Sequence, residues 1–301
     1  MPIHSAFLKY FDEVRRSGSI RLAARKLYVA SSAVNRQILK IEHELGVALF
    51  DRSHKGLSLT PAGQILAEHI SRTLADAEQT QARLAALRNG GSEVITVAGQ
   101  ESIIVRFLPQ ALLELHAAHP AIATAFKASN GTKLVALLLA GGADIALAFD
   151  PEPVPDVEIL ASCQLPVGAV MSPDHPLAQQ ASVDLQTCAA FPLVLPDQSW
   201  PLRRRLDQAL AALEWQPKIL TSSNSVQFLQ AIVAQKQGIG FQTVVGLEDK
   251  IGSSELAFVP WHEGAPVWQT LALCVRAEQV RSTAMGMVLE LLRQRLQDYA
   301  H

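Results

Sequence analysis

The chain of 301 residues is 49% hydrophobic and 18% charged, with 26 Lys and Arg against 28 Asp and Glu for a net charge of −2. That length predicts two domains or more with ample core. No apolar run is long and charge-free enough to span a bilayer, and Lys9, Asp12 and Glu13 come too early for a signal peptide, so a cytoplasmic protein is expected. Charge is uneven: residues 1–90 hold 13 Lys and Arg against 8 Asp and Glu, and residues 91–301 hold 13 against 20. A basic head on an acidic body suits a head that meets nucleic acid and a body that does not, although a basic end is often only a solvated face.

In chain order, Ile3 to Arg16 reads as a helix with Ile3, Phe7, Phe11 and Val14 on its buried side. From Gly18 to Gly46, GSIRLAARKLYVASSAVNRQILKIEHELG reads as two short helices joined by a tight turn. Ser19 is the expected N-cap of the first, and Ile20, Ala23, Ala24 and Leu27 share one face. Tyr28-Val29-Ala30 interrupts the pattern, and Val34, Ile38, Ile41 and Leu45 line the second helix. Ala23 and Ala24 are small where the helices must cross. The polar side of the second helix carries Ser31, Ser32, Asn35, Arg36 and Lys40. The pair therefore reads as a helix-turn-helix equipped for a DNA groove, against the plainer alternative of a helix pair in an all-α core. Phe50 to Thr60 reads as a β-hairpin wing that lays Arg52 and Lys55 on phosphate.

Thr60 as N-cap and Pro61 at the first helical position open a long helix. Leu66, Ile70, Leu74, Ala77, Leu84 and Leu87 recur near heptad spacing along it, with Gln81 in the seam. A dimer coil through Leu66, Ile70, Leu74 and Leu84 is expected, the alternative being that the stripe packs onto its own domain. Asn89-Gly90-Gly91-Ser92 predicts a flexible hinge.

The order of GSIRLAARKL, SSAVNRQILKIEHELGVALFDR and LSLTPAGQ closely resembles the N-terminal winged helix-turn-helix of LysR-type transcriptional regulators, most specifically over residues 3–65. Many members have Ser-Gln-Pro-Ala-Val-Ser where this chain has Ala30-Ser31-Ser32-Ala33-Val34-Asn35. The usual capping Ser is Ala30 here, so Ser31 is expected to take over the cap or the helix start to shift, and the Gln that often meets bases is absent. The resemblance implies a dimer through the long helix, tetramers through the bodies, and an effector domain built like a periplasmic solute-binding protein.

Beyond the hinge, strand and helix alternate. Val94–Ala98, Ile122–Lys127 and Asp144–Phe149 read as strands, with helices at Ser102–His119 and Lys133–Leu139. The pattern repeats from Leu165–Met171 through Phe191–Leu195, Arg203–Leu213, Ile219–Thr221, Val226–Gln235 and Ile239–Gln242. Thr270–Val275 and a helix at Ala284–Leu296 close the chain. Two α/β lobes are predicted, each with a mostly parallel sheet. Such lobes bind ligands at strand C-termini, where helix N-termini point. Gln100-Glu101-Ser102, Ser129-Asn130-Gly131-Thr132 and Ser222-Ser223-Asn224-Ser225 stand there and suit a carboxylate or phosphate, plain capping being the alternative for each. Ser199 and Trp200 add a polar rim and an aromatic wall unless Trp200 is core. Glu101 cuts against a simple anion site: it either fills the helix N-terminus itself or meets an amine or hydroxyl on the ligand.

No phosphate loop, nucleophile elbow or zinc-protease motif is present, so no enzyme is expected. Cys163, Cys188 and Cys274 form neither a metal pattern nor a disulfide framework and read as buried thiols, a redox switch being the sharper alternative. His116 and His119 lack the carboxylates or thiols that would complete a metal site. The predicted architecture is an α/β protein with a winged helix-turn-helix at 1–60, a dimerisation linker helix at 61–89 and a two-lobed effector domain at 90–301. Lobe I is placed at about 93–161 and 265–301, and lobe II at about 162–264. The expected function is sequence-specific transcription regulation, with oligomer geometry switched by a small-molecule effector in the cleft. Expected partners are double-stranded DNA with an interrupted inverted repeat, that co-inducer and further copies of the chain, with no metal, no other cofactor and no membrane. A solute-binding protein without a DNA-regulatory role is the alternative.

Overall fold

A computed structural model describes residues 5–53, 56–88, 93–263 and 265–299. The chain forms two compact units, one of Met1–Gly91 with Ala140–Gly142 and one of Ser92–Leu139 with Ala143–His301. In the first unit, α1 (Ala6–Ser17), α2 (Ile20–Lys26) and α3 (Ser31–Leu45) precede a hairpin of β1 (Phe50–Ser53) and β2 (Gly56–Leu59), and α4 (Pro61–Arg88) follows. Ser19 caps α2 by accepting the Leu22 N–H at 3.4 Å. Phe7, Phe11, Val14, Ala23, Ala24, Val34 and Ile38 bury together as the three-helix core.

The start of α3 differs from both expected outcomes. The helix begins at Ser31 with Ala30 as its N-cap, and no side chain accepts a bond there. Tyr28 supplies the turn instead, with a left-handed φ of 56°. The expected intersubunit seam on α4 is corrected at Ile70, which is 0% exposed within its own chain. Ala67 joins it in the three-helix core, and Leu66 and Leu74 pack half-buried against the same core. A stripe at this spacing meets α1 before it meets a second copy, because α1 lies across the first turns of α4. Leu84, farther along the same stripe, is 51% exposed, and Ile65, which lies off it, is 73% exposed, so the part of the stripe beyond the three-helix core stays free within the chain. Gly63 explains the tight entry to α4: a Cβ there would lie 2.0 Å from the Leu49 carbonyl oxygen. Asn89 to Ser92 lie outside the described residues.

The second unit opens with β3 (Val94–Gly99), α5 (Glu101–Val105), α6 (Phe107–Ala118), β4 (Ala123–Ala128), α7 (Thr132–Leu139) and β5 (Ile145–Phe149). A 15-residue β6 (Val157–Met171) leads to α8 (Leu185–Ala189), β7 (Leu193–Pro196), α9 (Pro201–Ala211), β8 (Ile219–Ser223), α10 (Val226–Ala234), β9 (Ile239–Thr243) and α11 (Glu248–Gly252). Then β10 (Ala257–Pro260), a small ladder of β11 (His262–Glu263) and β12 (Ala265–Pro266), β13 (Trp268–Arg276) and α12 (Thr283–Asp298) complete it.

The strand order is β4-β3-β5-β13-β6-β9-β7-β8, with β10 beside β6. β3, β4 and β5 are parallel in lobe I, and β7, β8 and β9 in lobe II. β6 joins the lobes: Val157–Pro166 pair with β13, and Val167–Val170 pair with β9. Ile95, Leu108, Leu147, Leu273 and Leu292 centre one core, and Val167, Leu195, Leu206 and Phe241 the other. The helix expected over Ser102–His119 is broken at Arg106. Pro109 explains the break, since a continuous helix would lose a bond to the Val105 carbonyl and clash with it.

Candidate functional site

On the first unit, Val34 is 0% and Ile38 1% exposed, which turns Ser31, Ser32, Arg36 and Lys40 outward. Asn35 is half-buried between those faces. Lys40 stands 3.7 Å from Glu44 in an exposed pair that holds it only weakly. Glu42 accepts the N–H groups of Leu49 (2.7 Å) and Phe50 (3.2 Å), which fixes the hairpin to α3. The Leu57 N–H donates to the Gly18 carbonyl at 3.2 Å and ties the hairpin to the α1–α2 turn. Lys55 and the side chain of Arg52 lie outside the described residues. Tyr28 is 96% exposed at the turn into α3, a position the sequence showed only as a break in apolar spacing.

On the second unit, the predicted loops converge between the lobes. Glu101, at the start of α5, accepts the Val226 N–H at 2.7 Å and the Ser225 hydroxyl at 3.3 Å. The lobe I carboxylate thus occupies the N-terminus of α10 in lobe II, the first of the two roles left open for it. Ser225 also accepts the Phe228 N–H, and the Ser223 hydroxyl accepts the Ser225 N–H, so these two cap their own turn. Asn130 donates to the Asn224 carbonyl at 2.9 Å. Ser199 bonds Asp197 through both its N–H and its hydroxyl. The Ser129 N–H donates to the Gly99 carbonyl, joining the loops after β3 and β4. The side chain of Thr132 lies outside the described residues.

Two neighbouring spaces remain between the lobes. The outer one, about 140 Å³, has apolar walls from Val135, Ala148, Pro151, Val154 and Pro201. Glu152 and Arg204 at its mouth pair at 2.9 Å. Asp150 is held there: it accepts the Thr270 N–H and the Gln269 amide, and Arg205 stands 3.7 Å away. The inner one, about 10 Å³, is lined by Gln100, Ser102, Trp200, Gln242, Thr243 and Gln269. Phe149 borders both. Trp200 is 6% exposed, and its indole Nε1–H meets no acceptor among the described residues. Gln100, Ser102, Gly131 and Trp200 were legible as candidates. Gln242 and Gln269 were not, though each is a Gln-Thr pair at the end of an apolar strand, where an amide is out of pattern.

Burial pushes the Cys163 and Cys274 thiols up to about 11, and all three cysteines are buried and in no disulfide. Such thiols are poor nucleophiles near neutrality. Among the described residues, no group of three or more His, Cys, Asp or Glu could hold a metal ion, and no helix is long and apolar enough to cross a membrane.

Comparison with known proteins bears on both sites. Residues 6–64 match the family described as bacterial regulatory helix-turn-helix protein, lysR family, and residues 88–297 match the LysR substrate binding domain. The chain is 27% identical over 235 residues to the HTH-type transcriptional regulator CysB of Burkholderia cenocepacia, covering 76% of this chain and 74% of that protein. It is 27% identical over 206 residues to a probable RuBisCO transcriptional regulator of Cyanidioschyzon merolae, covering 67% and 68%. The structure of full-length CbnR complexed with its target DNA superposes with a TM-score of 0.63 at 21% identity, covering 98% of this chain and 99% of that one. That likeness is one of fold.

Proposed function

Because the chain belongs to the LysR family, we propose that it regulates transcription by binding double-stranded DNA through α3 and answering a small-molecule effector held between its lobes. The observation that carries this reading is the split of α3, with Val34 and Ile38 sealed in a helix-turn-helix core while Ser31, Ser32, Arg36 and Lys40 face out. CbnR, of the same fold, has been seen on its target DNA, which supports the assignment of α3 to a groove. Two heads in a dimer read an interrupted inverted repeat, with half-sites about one helical turn or a multiple apart. Effector binding then changes lobe closure and, through the oligomer, the spacing of the heads. A cytoplasmic location fits a DNA target.

A mobility-shift titration on the segment upstream of its own gene tests this. Arg36, Lys40, Arg52 and Lys55 from two heads neutralise roughly six to eight phosphates, so log affinity falls against log salt with a slope of about −5 to −7. Arg36→Ala should weaken binding and flatten that slope, while Asn35→Ala should relax preference at one base per half-site. A flat salt response in the wild type rules the reading out.

A further inference from the structure

The chemistry between the lobes narrows the class of effector. An anionic head needs a cation or a free helix N-terminus. Two helices of lobe II open toward the cleft: α10 already has the Glu101 carboxylate on its Val226 N–H and Ser225 hydroxyl, and α9 begins at Pro201, which has no N–H to offer. No Lys or Arg lines the inner space. In the outer space Arg204 pairs with Glu152, and Arg205 lies close to Asp150. A cationic head fares no better, because Arg205 already stands beside Asp150 and Arg204 beside Glu152. What is unmet is neutral: the buried Trp200 Nε1–H has no acceptor among the described residues. Gln100 and Ser102 beside it on lobe I offer amide and hydroxyl groups, and Gln269 adds a second amide. The outer space has mainly apolar walls, with the paired charges of Glu152, Arg204 and Asp150 along its edge, and its volume of about 140 Å³ is close to the roughly 150 Å³ of an apolar cavity that takes up benzene.

Resting on the cleft reading above, we propose that the effector is a compact uncharged amphiphile. Its apolar tail fills the outer cavity, and a neutral carbonyl or amide head passes Phe149 to accept the Trp200 Nε1–H. The inner space of about 10 Å³ holds a single water at most, so Phe149 or Trp200 shifts as the head enters. Ligand entry is then coupled to the wall that the two lobes share. Discrimination rests on desolvation: a carboxylate or ammonium brought into a nest without an opposite charge loses its hydration and gains no partner.

Three probes with one branched tail test this on the full chain: isovaleramide, isovalerate and isoamylamine, with dissociation constants from saturation-transfer NMR. Isovaleramide should bind at least tenfold more tightly than either charged probe. Trp200→Phe should weaken it about tenfold, equivalent to about 1.4 kcal/mol, by removing the donor while keeping an aromatic wall. Gln100→Leu, on the opposite lobe, repeats the test through a different side chain should the tryptophan variant melt early. Val135→Trp fills the outer cavity and should abolish binding. Isovalerate or isoamylamine binding as well as the amide, and blocked by Val135→Trp, overturns the uncharged class and leaves the cleft standing. Binding indifferent to Val135→Trp overturns the cleft itself. No binding by any probe overturns the proposed tail-and-head fit.

Discussion

Gly131 combines two demands that no other residue type meets together. Its φ is +53°, and a Cβ there would fall 1.9 Å from the Ser199 carbonyl oxygen on the facing lobe. The left-handed backbone alone costs an L-residue roughly 1–2 kcal/mol. Gly46, at φ +69° with nothing within 4 Å of its added Cβ, carries that cost without a clash. Gly131→Ala should therefore destabilise its unit by clearly more than Gly46→Ala destabilises the other, as read by urea unfolding. The excess measures the contact between the loop after β4 and the loop before α9. Equal losses would mean that the lobes do not meet there in solution. Asp150 shows the opposite solution to the same backbone problem. Its φ is 44°, and it holds that shape by bonding Thr270 through both its N–H and its carboxylate. Aspartate tolerates the left-handed region better than most residues, and here the bonds to Thr270 fix its carboxylate against β13.

At the scale of elements, α4 separates two roles that one apolar stripe seemed to combine. Ile70 belongs to the three-helix core, whereas Ile65 and Leu84 are exposed. Ile70→Ala should cost about 2–5 kcal/mol in the unfolding of the first unit, because it leaves a cavity, and should not change assembly at concentrations where the protein stays folded. Leu84→Glu should do the reverse: unchanged unfolding and a lower mass by light scattering. A lower mass with unchanged stability for Ile70→Ala would restore the intersubunit seam at that position. This division was not legible from heptad spacing, since the spacing records that a face is apolar and not which neighbour covers it. Other elements were legible because a local cause suffices, as with Ser19 at the cap of α2 and Pro61 at the start of α4. The break at Arg106 had a local cause too, in Pro109, and the apolar run through Leu108, Leu112 and Leu115 masked it. The first half of β6 escaped notice because its residues are mostly half-buried or exposed and carry little apolar alternation. The cleft was half legible. Loop residues after strands announce themselves by type, but Gln242 and Gln269 matter only because β6 and β13 bring two lobes together, and that pairing is set by topology.

Across the effector unit as a whole, the two lobes are held by polar bonds along one side and by a side-chain amide bond together with a close backbone contact along the other. On the first side, three groups reach from lobe I to α10 and α11: Glu101 to Val226, Arg106 to Asp249, and the Tyr299 hydroxyl to Glu248 at 2.5 Å. Burial beside Glu248 pushes the Tyr299 phenol well above its ordinary range, so it stays a donor at any working pH. On the other side, Asn130 meets Asn224, and Gly131 lies against Ser199. Of these, only the Glu101 bond places a charge on a helix N-terminus, where charge-assisted hydrogen bonds are worth roughly 1.5–3 kcal/mol and the helix dipole adds to them. Asp249 is 73% exposed and its pair with Arg106 is largely screened. Glu101 is therefore a charge-assisted strap between the lobes, and it works without any effector. Glu101→Gln keeps the size and one acceptor oxygen but removes the charge. The Val226 amide should then exchange its hydrogen about tenfold faster or more, because the closed form that protects it loses more than about 1.4 kcal/mol. The exchange of Ile145 to Phe149 in the centre of lobe I should not move, since that strand is buried along its whole length and opens only with the lobe itself. Unchanged protection at Val226 would show that packing of Ser102 against Gly246, and not the carboxylate, holds α5 to lobe II.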